Sequence, residues 1–177
     1  MVTSAALYLG FLAATGVERL AEVRTSLRNA AWSFAQGGVE YGQGHYPAMV
    51  ALHTGFLFAC AAEVVLLERA FLPWLGWPML VTALGCQAMR AWILHTLGPR
   101  WNTRVIIVPG LPRITAGPYR WLNHPNYVVV AAEGIALPMI HTAWITAAVF
   151  TVLNALLLRT RLQVEDAALR TLPEGPA

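Results

Sequence analysis

One stretch of the chain concentrates side chains that could bind a ligand: residues 117–127, which read Gly-Pro-Tyr-Arg-Trp-Leu-Asn-His-Pro-Asn-Tyr. It lies directly before an apolar segment, 128–140. Asn123 or His124 suits a helix N-cap, and Pro125 suits the first helical position, where its missing N–H leaves no bond unmade. A helix that begins here presents free N–H groups and a positive dipole end, which favour a carboxylate or a phosphate. The alternative is that these residues only cap a membrane helix and anchor it at the interface.

A second polar pair follows the next apolar segment. Arg161 and Glu165 are four residues apart and therefore share one face of a helix. If the two apolar segments form a helical hairpin, their outer ends are neighbours, and this pair lies near His124 and Tyr127. Taken together, the four residues predict one site. Taken singly, the pair could be a solvated salt bridge, and Arg161 could be an interfacial anchor.

The composition indicates the elements that must position these residues. The chain has 177 residues, of which 57% are hydrophobic and 12% are charged, whereas a soluble domain carries about 25% charged residues. Several apolar runs approach 20 residues, the length that crosses a bilayer. We therefore expect an all-α fold, an integral membrane bundle of about five transmembrane helices in one domain, 1–177. The predicted spans are 3–20, 48–67, 74–97, 125–139 and 142–158, with a polar tail that stays helical to about residue 172.

The charges predict an orientation and exclude one class of partner. Ten of the twelve arginines fall on one side of a five-span topology, which the positive-inside rule makes cytoplasmic. That side carries the long polar connection, 98–124, and the tail, so we expect a cytoplasmic pocket built by 98–177 beneath three earlier spans in 1–97. The net charge of +3 and the absence of any basic run speak against a nucleic-acid partner.

Several ionisable residues fall inside the predicted spans, where they usually pair or mark function. We expect Arg90 to pair with Glu63 or with Glu133. Because Glu133 lies six residues beyond Tyr127, it could also act as a base or orient a hydroxyl, and so could His45 or Glu40. A structural role is the alternative for each of them. The five histidines show no metal-ligand spacing, so no metal site is predicted.

At this point three motifs resemble one family. Residues 117–119 (Gly-Pro-Tyr), 124–127 (His-Pro-Asn-Tyr) and 161–166 (Arg-x-x-x-Glu-Asp) are similar to the Gly-x-Tyr, Arg-His-Pro-x-Tyr and Arg-x-x-x-Glu-Glu motifs of the isoprenylcysteine carboxyl methyltransferase family. The resemblance covers about 98–172 and implies a membrane enzyme that binds S-adenosylmethionine at its cytoplasmic side. Asn123 replaces the usual arginine and Asp166 the second glutamate, and either change could alter the choice of methyl acceptor.

The resemblance assigns roles position by position. Arg161 would face the methyl acceptor or the carboxylate of the cofactor. The predicted catalytic set is completed by Glu133 and His45, which come from their positions in the chain and not from the resemblance. The aromatic residues of the stretch would suit the cationic sulfonium. The predicted cofactor-binding residues are Leu111, Pro112, Arg113, Ile114, Tyr119, His124, Pro125, Asn126, Tyr127 and Glu165.

The expected activity is S-adenosylmethionine-dependent O-methylation of a lipid-like acceptor that is reached from the bilayer. The acceptor could be a prenylated cysteine carboxylate, or the hydroxyl of an alkylresorcinol or alkylpyrone as in the bacterial branch of the family. We favour the bacterial branch, in a bacterial inner membrane, because all twelve basic residues are arginine, which is typical of a GC-rich bacterium. Two alternatives are an NADPH-dependent membrane reductase and a non-enzymatic membrane carrier or assembly protein. The sequence leaves the oligomeric state open.

Overall fold

Five helices form most of the protein, and each contains one of the five apolar segments. The structure is a computed structural model that describes residues 2–170. Proline stands in the first turn of α2, α3 and α4, where its fixed φ favours helix initiation. Because the five helices contain most of the described residues, the predicted mostly helical fold class is confirmed. The helices are α1 (Val2–Ala35), α2 (Tyr46–Leu66), α3 (Pro73–Leu97), α4 (Pro125–Met139) and α5 (Trp144–Leu169).

Two helical segments are long and apolar enough to cross a membrane, residues 43–66 around α2 and 144–169 of α5. Helix α4 has 15 residues, which is short of the roughly 20 that a bilayer core requires. Helix α1 has 34 residues, so at 1.5 Å per residue it is about 51 Å long, and its second half is charged. The number of spans thus stays a prediction, whereas the helices that would form them are present.

One helix boundary differs clearly from the prediction. Helix α1 does not end near residue 20 but continues to Ala35, because no glycine or proline occurs at positions 17–36. Its buried residues change from apolar to polar along one face, from Tyr8 to Ser33. Helix α5 continues beyond 158 to Leu169, in agreement with the predicted helical tail. The predicted end of that tail at residue 172 lies outside the described residues.

A small antiparallel sheet corrects the all-α expectation. Strand β1 (Val39–Tyr41) pairs with β2 (Val105–Ile107), with Val39 opposite Ile107. Strands of three residues are too short to show a period-2 pattern, and their partners are far apart in the chain. Sequence reasoning therefore had no local signal for them.

The helices pack through two apolar clusters. One joins α1 and α2 to the α4–α5 hairpin and includes Tyr8, Phe56, Leu137 and Phe150. Gly134 is required there, since a Cβ at this position would overlap the Phe150 ring. The second cluster joins α3 to α4 through Cys86, Ile93, Trp101 and Val129. Both free cysteines, Cys60 and Cys86, are buried.

A carboxylate from α2 caps the N-terminus of α5. Glu63 accepts hydrogen bonds from the backbone N–H of Ile145 at 3.1 Å and from both the N–H and the hydroxyl of Thr146, each at 2.7 Å. The guanidinium of Arg69 donates a further bond at 3.0 Å. Glu63 is therefore occupied, and Arg90 pairs instead with Glu133, at 2.6 Å.

We predict that Glu63→Gln destabilises the protein. The amide removes the negative charge and turns one acceptor into a donor, which leaves backbone N–H groups of α5 unpaired at a cost of about 1–3 kcal/mol. Thermal unfolding in detergent would measure the change. The matched control is Glu68→Gln, an exposed residue whose substitution should leave the unfolding midpoint unchanged. Equal midpoints for the two variants would show that the cap contributes nothing.

Candidate functional site

The first turn of α4 and the last turns of α5 meet at one end of the bundle, here called the cleft end. The Tyr127 hydroxyl donates a hydrogen bond to the Glu165 carboxylate and accepts one from Arg161 Nε at 2.8 Å. The His124 ring stacks on the Tyr127 ring, with centroids 5.4 Å apart and planes within 13°. The hairpin therefore brings together the four residues that the sequence placed in one site.

His124 lies between two carboxylates. Its Nε2 is 2.8 Å from Asp166 Oδ1, and its Nδ1 is 3.6 Å from Glu165 Oε1. Hydrogen bonding to Glu165, supported by Asp166 and opposed by partial burial, raises the pKa of His124 above its ordinary value. The His124 ring consequently links the start of α4 to the end of α5.

These residues form one side of a cleft of about 1010 Å³, with the open solvent at its mouth included. The opposite wall comes from the connection after α3, from β2 and from Ser33 of α1. The cleft is lined by Ser33, Leu97, Arg100, Trp101, Asn102, Arg104, Val105, Ile106, Ile107, Val108, Leu111, Pro112, Arg113, Ile114, Tyr119, Asn123, His124, Asn126, Tyr127, Arg161, Glu165 and Leu169.

Arg161 is a buried cation with few partners. It is 6% exposed, and its contacts are the Tyr127 hydroxyl and the Met49 sulfur, 3.0 Å from Nη1. A guanidinium carries five N–H donors, and a thioether is a weak acceptor. Among the described residues, no carboxylate lies within 4.0 Å of it. Arg161 thus presents charge and donors to an anionic group in the cleft.

Asn126 and Tyr119 add polar groups that can make different kinds of hydrogen bond. The Oδ1 atom of Asn126 is buried and has no hydrogen-bond partner, which is uncommon for a buried polar atom and leaves an acceptor for a ligand N–H. Tyr119 is half-buried, and burial raises the pKa of its hydroxyl, with a further contribution from Glu165. Tyr119 therefore remains a neutral phenol that can donate or accept.

Most residues predicted for the site lie at the cleft, and three do not. Those that line it are Leu111, Pro112, Arg113, Ile114, Tyr119, His124, Asn126, Tyr127, Arg161 and Glu165. Pro125 is buried in the first turn of α4, and His45 precedes α2, outside the cleft lining. Glu133 lies deeper along α4, where its carboxylate accepts from Arg90 at 2.6 Å and Arg19 at 3.3 Å. The roles assigned to all of these residues stay predictions.

Sequence reasoning missed the wall opposite His124. Ser33, Trp101 and the residues of β2 contribute to it, and no pattern within the polar connection distinguished them. Strand β1 supports this wall. It pairs with β2, and its Glu40 lies 3.5 Å from Arg104.

Comparison with known proteins gives a family match and two relatives. The model of the isoprenylcysteine carboxyl methyltransferase (ICMT) family matches residues 79–171, just over half of the chain. The uncharacterized protein YpbQ of Bacillus subtilis is 37% identical over 155 residues, which cover 87% of this chain and 91% of the relative. An uncharacterized protein of Haemophilus influenzae is 25% identical over 154 residues, covering 85% and 88%. The family match includes the cleft residues from Leu97 to Leu169.

We predict that His124 makes the stability depend on pH. Because its pKa is raised in the folded state, its contribution is complete below about pH 6.5, the value for an unfolded histidine. It is lost as the pH rises through the raised pKa. Unfolding midpoints measured from pH 5.5 to 9 should therefore fall towards high pH, and His124→Gln should flatten that slope.

The control for this titration is His95→Gln, since His95 is exposed on α3. This variant should keep the slope of the wild type. A His124→Gln profile with the wild-type slope would contradict the assignment.

Proposed function

This chain belongs to the isoprenylcysteine carboxyl methyltransferase family, and from that premise we propose that it is a membrane O-methyltransferase that uses S-adenosylmethionine. The family indicates a methyltransferase, and together with two helices that could span a bilayer it points to a membrane protein. The observation that carries the proposal is the cleft itself. The motif residues from α4 and α5 line one wall of the cleft, and a buried arginine without a carboxylate partner, Arg161, lies among them.

The residues of the cleft fit the proposed cofactor. Asn126 offers a buried free acceptor for an N–H donor such as the adenine amino group. Glu165 can accept from ribose hydroxyls or from the ammonium group. The face of Tyr119 favours a sulfonium cation, and the N-terminus of α4 favours a carboxylate. When bound, S-adenosylmethionine supplies a methyl group on a positively charged sulfur that a nucleophilic oxygen can attack.

The environment of Arg161 favours a methyl acceptor whose oxygen is already ionised. A buried guanidinium without a carboxylate partner favours an anion in a low-dielectric site. A carboxylate or an acidic enol is an anion near neutral pH and therefore needs no general base. This chemistry does not require Glu133 or His45, which lie outside the cleft lining. The protein would then accelerate transfer chiefly by holding the oxygen in line with the methyl group.

The setting supports an apolar acceptor. The cleft includes the last turns of α5, and its Arg161 contacts Met49 in the first turn of α2. These are the two helices long and apolar enough to cross a bilayer, so a lipid-like molecule could present its polar end to Arg161. We propose acceptors of two kinds, a prenylated cysteine carboxylate or the acidic hydroxyl of an alkylpyrone. From the arginine distribution we infer that the cleft faces the cytoplasm of a bacterium. Residues 98–177 supply most of the cofactor site, and Ser33 joins it from the first part.

We predict that the purified protein binds S-adenosylhomocysteine and that Glu165→Gln weakens this binding at least tenfold. The amide loses the charge that holds Tyr127 and His124 and that would accept from the ligand. Isothermal titration calorimetry in detergent measures both affinities, and Glu68→Gln is the control that should bind like the wild type. A folded wild type that binds NADPH and does not bind S-adenosylhomocysteine would replace this proposal with the reductase.

We predict that Arg161→Gln separates the acceptor from the cofactor. Binding of S-adenosylhomocysteine should stay within about threefold, while kcat/KM for methyl transfer to a short-chain alkylpyrone or prenylcysteine falls at least about 100-fold, as for loss of a charged stabilising group. The control is Arg159→Gln, which changes an exposed arginine two residues away on α5. If Arg161→Gln abolished cofactor binding instead, Arg161 would hold the cofactor carboxylate and the acceptor assignment would be wrong.

A further inference from the structure

Four charged side chains from three helices close a ring inside the bundle, here called the charge ring: Arg19, Glu22, Arg90 and Glu133. The sign of the charge alternates around it. Arg19 lies 2.7 Å from Glu22 and 3.3 Å from Glu133, and Arg90 lies 2.6 Å from Glu133 and 3.8 Å from Glu22. Glu22, Arg90 and Glu133 are each 7–8% exposed. None of the four residues lines the cleft.

Net stabilisation does not explain the ring well. Desolvation offsets most of the attraction within a buried ion pair, so such pairs contribute little stability compared with apolar residues of similar size. Helices α3 and α4 are already joined by the apolar cluster of Ile93 and Val129. What the ring does impose is register, because a shift of α1 by one turn would separate both pairs that join it to its neighbours, Arg19–Glu133 and Arg90–Glu22.

The helix that depends on this register is α1. Its apolar contacts with the core come from its first half, from the buried Tyr8 and Leu12 and the partly buried Ala5, Leu9 and Phe11. Between Leu12 and Ser26, the buried residues of α1 are Thr15 and Glu22, and the Thr15 hydroxyl donates to the carbonyl of Phe11 within the same helix. Over this stretch, the charge ring joins α1 to α3 and α4, and Gln87 of α3 adds hydrogen bonds with Arg19 at 2.6 Å and Glu18 at 2.7 Å.

The part of α1 beyond the ring supports one wall of the cleft. Asn29 Nδ2 donates to the carbonyls of Trp101 at 2.7 Å and Gly98 at 3.2 Å. The Ser26 hydroxyl accepts from the Thr103 N–H at 2.9 Å. Ser33 itself lines the cleft. The opposite wall includes the first turn of α4, and Glu133 lies on the same helix. The charge ring therefore joins α1, which supports one wall, to α4, which forms part of the other.

We propose that the charge ring is a positioning device that sets the register of α1 against α4 and thereby the separation of the two walls of the cleft. Arg19, Glu22, Arg90 and Glu133 are positioning residues, since none of them lines the cleft. The inference rests on the proposed function in one respect, namely that S-adenosylhomocysteine serves as the probe of the cleft.

The test compares one broken ring with one apolar replacement. Glu133→Gln leaves two arginines short of a counter-charge and should lower both the unfolding midpoint and the affinity for S-adenosylhomocysteine. The double variant Arg90→Met/Glu133→Met removes one charge of each sign and leaves Arg19 paired with Glu22. We expect its unfolding midpoint to return towards that of the wild type, while its affinity stays at least fivefold weaker. Arg24→Met, at an exposed position on α1, is the control and should change neither quantity.

A distance measurement separates positioning from a purely structural role. Spin labels at Ala31→Cys on α1 and Leu122→Cys before α4, both exposed, report the separation of the two supports by pulsed electron resonance. We expect a narrow distribution in the wild type and a shifted or broadened one in the Met/Met variant. An unchanged distribution with wild-type binding in a stable Met/Met variant would overturn the proposal. If the wild type does not bind S-adenosylhomocysteine, the proposed function fails, and the label distances still decide this inference.

Discussion

The site depends on one interaction, the bridge that the Tyr127 hydroxyl makes between Glu165 and Arg161. It joins the first turn of α4 to the last turns of α5, and it places a carboxylate and a guanidinium on either side of one phenol. The His124 ring covers the phenol and holds the end of α5 through Asp166. The Tyr127–Glu165 half of the bridge joins the two helix ends, and the Arg161 half fixes the direction of the guanidinium. The bridge keeps Arg161 buried yet without a carboxylate partner, and this is the property on which anion binding rests.

A bundle within a bilayer must satisfy its charges internally, since lipid offers them no partners. The structure meets this constraint at three depths. Glu63 caps α5 at the end opposite the cleft, the charge ring joins three helices between the ends, and the Tyr127 bridge lies at the cleft. Each device binds a helix end or a helix face that apolar contact alone would leave free to rotate or slide. The polar contacts thus fix the relative positions of the helices, whereas the apolar clusters hold the helices together.

The cleft is built from two parts of different origin. The wall of His124 and Tyr127 comes from a short helical hairpin and carries the charged and hydrogen-bonding groups that could bind a ligand. The wall of Trp101 and β2 comes from the long connection and is hydrogen-bonded to the second half of α1. This division explains why a helix far from the motif residues bears on the site. The proposed chemistry asks little else of the protein, because methyl transfer to an ionised oxygen needs alignment more than proton transfer.

The sequence by itself determined the helical class, the positions of the apolar helices and the meeting of His124 and Tyr127 with Arg161 and Glu165. It could do so because two apolar segments with a short connection must be antiparallel neighbours, and i, i+4 spacing then fixes a shared face. Only the tertiary structure decided that Glu133 turns towards Arg90 and Arg19, that β1 pairs with β2, and that Ser33 reaches the cleft. These outcomes depend on how each helix is rotated and on contacts between residues far apart in the chain. No local pattern encodes such contacts, because their energy belongs to pairs that meet only after the helices have packed.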